Sequence, residues 1–306
     1  MTLVFAHADC LLHREPEGHP EQAARLRAVE AALAGLAVAR RAAPVAERAE
    51  VLRCHPERYL ARVEAALPQA GLAMLDGDTY LAPGSLTAAL RAVGGVCAAV
   101  DAVIAGEARN AFVACRPPGH HAETAQAMGF CLFGSVAIGA KRALDHHGLA
   151  RVAVLDFDVH HGNGTQDLLW DEARALFVSS HQMPLYPGTG TAEERGALGQ
   201  VVNLPLRAGS GGAAMRAVWA RALGRVRDFR PELILLSAGF DAHEDDPLAG
   251  LNWQVADFVW LTDAICDLAE EVCGGRVVSA LEGGYDLAAL AACAAAHVEV
   301  LLRRDP

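Results

Sequence analysis

The feature that most constrains the fold is a unit that recurs along the chain. A short β-prone apolar run leads into a polar or glycine-rich cluster, followed by a longer Ala- and Leu-rich stretch with helical spacing. Alternation of this kind predicts an α/β domain with a central, mostly parallel sheet and helices on both faces. The runs predict strands at 111–115, 151–156, 176–180, 232–237 and 276–281. Helical spacing is expected near 21–34, 56–67, 85–106, 132–147, 213–228, 253–273 and 287–302. No Ser/Gly-rich linker or repeated unit divides the 306 residues, so one domain over 1–306 is expected.

Four of the runs end in clusters dense in chemistry: RPPGHH, DFDVHHGNGT, SAGFDAHEDD and EGGYD. In open α/β sheets ligands bind outside the carboxyl ends of the strands, so these four loops are expected to share one rim.

Composition narrows the partners. A hydrophobic content of 53% supports a sizeable core. No run reaches the roughly 18 uninterrupted apolar residues of a membrane span. The start, MTLVFAHADC, carries no targeting pattern, which makes a cytoplasmic location the expectation. A formal charge of −11 disfavours nucleic acid and anionic membrane as partners and suits a cationic substrate. The eight cysteines lack paired CxxC spacing and read as reduced packing residues.

Asp158 and His160 stand two apart just past a strand, so extended geometry would turn both side chains to one side. Asp241 ends another strand in an apolar stretch, where an unpaired carboxylate is costly. Two carboxylates and one imidazole are the donor pattern of a catalytic zinc site with one position open for water. Helix or turn capping by the aspartates is the alternative. His120 and His121 follow a Pro-Pro-Gly turn that fixes the backbone, a setting in which one imidazole can move protons while its neighbour holds charge. A surface pair, the reading given to His146 and His147, is the alternative. Tyr285 follows two glycines that let the chain turn and present the phenol, though packing explains many such tyrosines.

In this order, HPE at 19–21, Arg25-Leu26, RPPGHH, MGFCLF, DFDVHHGNGTQD, VSSHQ, YPGTGTAEERG, NLPL, SAGFDAHEDDPLAGLNW and LEGGYDL run almost end to end. Together they resemble the histone deacetylase and acetylpolyamine amidohydrolase superfamily, particularly its bacterial and class II branch. The resemblance implies an arginase/deacetylase-like single domain with a narrow tunnel to one Zn2+ and a structural K+. It assigns Asp158, His160 and Asp241 to zinc, His121 to general base and acid, His120 to its electrostatic partner and Tyr285 to polarising the acetyl carbonyl. It further implies that Asp156 hydrogen-bonds the first histidine, and that Asn163 stands where some relatives back the second with aspartate.

Gly129 and Phe130 resemble the tunnel segment, with Tyr186 as the opposite aromatic wall. Leu248 takes the place of a gatekeeper that is acidic in a polyamine-selective relative. Asp156, Ser179 and Ser180 match part of the inner potassium site. The remaining histidines, His7, His13, His19, His161, His181, His243 and His297, read as structural, with the first three near the tunnel mouth. The substrate implied is an acetyl-lysine peptide, an acetylpolyamine or a related small acetamide, with oligomeric state open. Two competitors are an arginase-type ureohydrolase with a dimanganese cluster and a catalytically silent acyl-ligand binder.

Overall fold

Strands apolar at every position need cover on both faces, which a parallel sheet wrapped by crossover helices supplies. The computed structural model, which describes residues 1–304, has that architecture. Its elements in chain order are β1 (Thr2–Ala6), α1 (Ala23–Leu33), β2 (Ala39–Ala42), α2 (Arg48–Val51), α3 (Glu57–Ala65), β3 (Ala73–Met74), β4 (Tyr80–Leu81), α4 (Ser85–Ile104), β5 (Asn110–Ala114), α5 (Ser135–Asp145), β6 (Val152–Asp156), α6 (Asn163–Leu168), β7 (Ala175–Gln182), β8 (Val201–Leu206), α7 (Gly212–Phe229), β9 (Leu233–Ala238), α8 (Val255–Cys273), β10 (Val277–Leu281) and α9 (Leu287–Arg303). Eight strands form one sheet in the order β2-β1-β5-β10-β9-β6-β7-β8, and every registered pair in it is parallel. Strands β5, β6, β9 and β10 are buried at every residue.

This order explains the rim. Strands β5, β10, β9 and β6 are immediate neighbours although they come from distant parts of the chain. The four polar loops that leave their carboxyl ends are therefore side by side, with the levels fixed by the register Asp156↔Ser237 and Leu281↔Ala238.

Helices α1, α9, α8 and α7 pack in series on one face, and α4 and α5 cover the other. By length and hydropathy α4 could cross a bilayer, yet 67% of its most apolar window is buried inside the fold. A satellite core, including Val51, Tyr59, Leu60 and Phe133, joins α2, α3 and the β3–β4 hairpin to the loop after β5. Tyr59 donates its hydroxyl hydrogen bond to the Leu132 carbonyl, and the Gly134 N–H donates to His55 Nε2. That anchorage is why the helix expected from 132 begins only at Ser135.

The five predicted strands and seven predicted helices are all present. Strands β1, β2, β3, β4 and β8 and helices α2 and α6 add to them. All eight cysteines are free thiols, seven of them buried, in keeping with packing roles.

Candidate active site

Beyond β6 the backbone bends instead of remaining extended through 158–160, which corrects the geometry expected for Asp158 and His160. The side chains meet all the same. His160 Nδ1 lies 3.1 Å from Asp158 Oδ1 and 3.1 Å from Asp241 Oδ2, with all three residues buried. Donors bound about 2.0–2.1 Å from a small divalent ion at tetrahedral angles stand roughly 3.3–3.4 Å apart, so the cluster matches such an ion in spacing and donor type.

The cradle is held by backbone. Asp158 Oδ2 accepts from the Gly283 N–H at 2.8 Å, and Asp241 Oδ1 accepts from the Val159 N–H at 2.8 Å. A Cβ on residue 283 would fall 2.1 Å from Asp241 Oδ2, so the first glycine after Glu282 serves close approach to the carboxylates. Burial, followed by repulsion from Asp158, pushes the Asp241 carboxyl up to about 7. Two buried carboxylates and an imidazole this close together suit a cation.

The two histidines diverge in setting. His120 Nδ1 is hydrogen-bonded to Asp156 Oδ2 at 3.0 Å, and its Nε2 lies 3.7 Å from Asp158 Oδ2. Burial disfavours its charged form, but Asp158 and Asp156 outweigh burial and raise its pKa. His121 Nδ1 is hydrogen-bonded to Asn163 Oδ1 at 2.7 Å. Burial, reinforced by charge on His120 and His160, lowers its pKa. Side by side at 4.0 Å between ring centroids, one imidazole is set to hold a proton and the other to accept one.

Above these groups opens a cavity of about 220 Å³ lined by His121, His160, Gly129, Phe130, Tyr285 and Leu248, with Tyr186, Leu185 and Asp78 completing it. The Phe130 and Tyr285 rings stand edge to face at 5.9 Å, and Tyr186 meets His121 at 5.2 Å. Gly129 and Phe130 both adopt positive φ, 53° and 67°. A Cβ at 129 would strike His121 Cδ2 at 2.3 Å, and the turn is held by Gly129 N–H on Asp78 Oδ1 and Phe130 N–H on Thr79 Oγ1, each 3.1 Å. Left-handed backbone at phenylalanine is costly and persists where surrounding contacts impose it. The Tyr285 phenol is held protonated, because burial raises its pKa further than the Arg25 guanidinium, 4.9 Å from its ring centroid, lowers it.

Sequence reasoning missed several residues that build the site. Glu282, fully buried, accepts the N–H groups of Gly119 at 2.7 Å and His120 at 3.2 Å, bracing the histidine turn. Arg25 donates to the carbonyls of Gly284 and Glu282 and pairs with Glu21, which Arg116 also grips. Asp78 and Leu185 join the cavity wall. Glu282 and Arg25 fell inside quoted motifs, whereas the hairpin bearing Asp78 had no such signal.

The remaining histidines have structural partners. His161 bonds Thr189 and Gln166, His181 bonds Ser179 and Gly190, and His243 accepts from the Asp245 N–H. His297, on the last helix, is fully buried between Thr262 and Ser279. His19 packs on Phe130 at 4.8 Å, His13 is buried against Ser85, and His7 caps a short 3-10 turn. Ser179 faces Asp156 across the sheet register, while the Ser180 hydroxyl accepts from Trp219.

Comparison with known proteins bears on the family and the fold. The histone deacetylase domain family is matched over residues 19–301. The histone deacetylase-like amidohydrolase of Pseudomonas aeruginosa is 43% identical over 266 residues, covering 85% of this chain and 70% of that one. Histone deacetylase 14, chloroplastic, of Arabidopsis thaliana is 39% identical over 327 residues, covering 99% and 77%. The crystal structure of the HDA15 HD domain superposes with a TM-score of 0.92 at 33% identity, over 98% of this chain and 90% of that one. The chain belongs to the histone deacetylase domain family, with the fold that family shares.

Proposed function

We propose that the chain is a zinc-dependent deacetylase that hydrolyses N-acetylated amines to acetate and a free amine. The observation that carries this reading is the buried convergence of Asp158, His160 and Asp241 at the floor of a cavity also lined by His121 and Tyr285. Zinc bound there would act as a Lewis acid toward the acetyl carbonyl and make water a usable nucleophile near neutral pH.

The chain's own residues supply the rest. His121, kept neutral, takes the proton from the attacking water and returns it to the departing nitrogen. His120, paired with Asp156, holds positive charge next to the reacting centre. Tyr285 donates its phenolic hydrogen bond to the carbonyl oxygen as negative charge develops there. Phe130 and Tyr186 form a slot for an aliphatic chain, which fits the methylenes of an acetyl-lysine side chain or an acetylpolyamine. Leu248 offers no charge for a distal ammonium, which favours substrates that do not depend on one.

Two features favour a single ion over a dimanganese cluster. His161 is engaged with Thr189 and Gln166, and Asn163 is spent on His121 and Glu123. A silent ligand binder would have no use for the full set of proton-handling residues. For an inner potassium ion, the supporting observation is the direct register of Asp156 against Ser179, with Ser180 next along the strand.

The reading is tested by turnover of acetylputrescine, acetylspermidine and an acetyl-lysine peptide side by side, with and without chelator. Acetate release that a chelator abolishes and zinc restores is expected; undiminished release from metal-free protein would overturn it.

A further inference from the structure

Asp246 is a carboxylate with no part in the cluster of donors, the histidine pair or the cavity lining, yet it is only 6% exposed. It follows β9 in the DAHEDDPLAG segment. Its Oδ2 accepts from the Tyr285 N–H at 2.7 Å and more weakly from the Asp286 N–H at 3.4 Å. Its Oδ1 accepts from the Leu248 N–H at 3.0 Å. One side chain thus ties together the loops that leave two adjacent strands, and it does so at the two residues that face the cavity from those loops.

The location matters because the Tyr285 backbone is otherwise permissive. Gly283 and Gly284 precede it, the latter at a φ of 123°. On the upstream side Arg25 secures the Gly284 carbonyl. On the downstream side the restraint at Tyr285 itself is the Asp246 carboxylate. Bonds from backbone N–H to a carboxylate are about twice as strong as neutral ones, and a dry setting strengthens them further. Both oxygens are needed, since each loop takes one.

We propose that Asp246 is a positioning residue, which through the N–H groups of Tyr285 and Leu248 fixes the phenol over the Asp158–His160–Asp241 cluster and sets the spacing of the facing wall. The assignment rests on the deacetylase reading of Tyr285 given above. In Asp246→Asn one oxygen becomes an NH2 group that cannot accept, so one loop loses its anchor while volume is conserved.

The experiment is a double-mutant cycle with Tyr285→Phe on zinc-loaded full-length protein, using an acetyl-lysine peptide, joined to amide hydrogen exchange. Asp246→Asn should lower kcat about 100-fold, the scale of an ångström-level misplacement, in the wild-type background and add nothing in Tyr285→Phe. Zinc content should be unchanged, and the Tyr285 or Leu248 amide should exchange faster. Equal losses in both backgrounds, or undiminished protection of both amides, would overturn the assignment while leaving the deacetylase reading intact. If Asp246→Asn does not fold, Asp246→Glu, which keeps both acceptors but displaces them, goes through the same cycle with the same two outcomes. Wild-type turnover by Tyr285→Phe would instead overturn the role given to the phenol, and this assignment with it.

Discussion

At the scale of single residues, the proposed hydrolysis depends on two adjacent imidazoles held in opposite states. The difference lies in what backs each ring: a carboxylate, Asp156, behind His120, and a neutral amide, Asn163, behind His121. In the proposed mechanism His121 must be unprotonated to accept the water proton, so activity is expected to fall as the pH drops through its pKa. Asn163→Asp would place a negative charge beside His121 Nδ1, raise that pKa and move the acid limb of kcat/KM to higher pH, by about one unit or more. A pH–rate profile checks this, and an unmoved limb would remove His121 from the role of base. The members of this site were legible in the sequence because each carries a side chain whose chemistry is rare and whose spacing is constrained. Glu282 and Asp246 stood inside quoted motifs without an assigned role, because a carboxylate that accepts backbone N–H groups from a distant loop leaves no spacing pattern behind.

At the scale of elements, legibility followed burial. Strands β5, β6, β9 and β10 are buried throughout, with one polar residue each among apolar ones, and stood out from the sequence. The edge strand β2, ARRA, presents two arginines and exists through its pairing with β1. The other edge, β8, contains Pro205 and is likewise defined by its partner, β7. Such strands are made by tertiary contact, which local pattern does not encode. Helix packing has the same character. Gly139 on α5 lets that helix close on α4, and a Cβ there would lie 2.5 Å from Val96 Cγ1 and 3.1 Å from Leu235 Cδ2. Gly139→Val should destabilise the fold by about 1–3 kcal/mol by overpacking, measured by urea unfolding, with kcat little affected. Unchanged stability would mean the α4–α5 layer yields without cost.

At the scale of the whole molecule, the sheet order brings four distant loops to one rim, and the buried core around them carries neutral histidines. Burial lowers His55 to about 4 and His297 to about 3, below the ordinary value near 6.5. Between those values and 6.5 the unfolded chain binds protons that the folded chain does not, so stability is full above pH 6.5 and falls as the pH decreases. Each such group should remove about 2 kcal/mol by pH 5. Urea unfolding at pH 7.5 and pH 5 should show the loss, and His297→Gln should show less of it; equal losses in both proteins would contradict a neutral His297.

The central claim is that Asp158, His160 and Asp241, delivered by two loops of that rim, hold the ion on which hydrolysis depends. It is tested most directly by Asp241→Ala, purified, shown to be folded by circular dichroism, and supplied with zinc. The account predicts loss of bound zinc and of acetate release from an N-acetylated amine. Acetate release at the wild-type rate from that variant would contradict it.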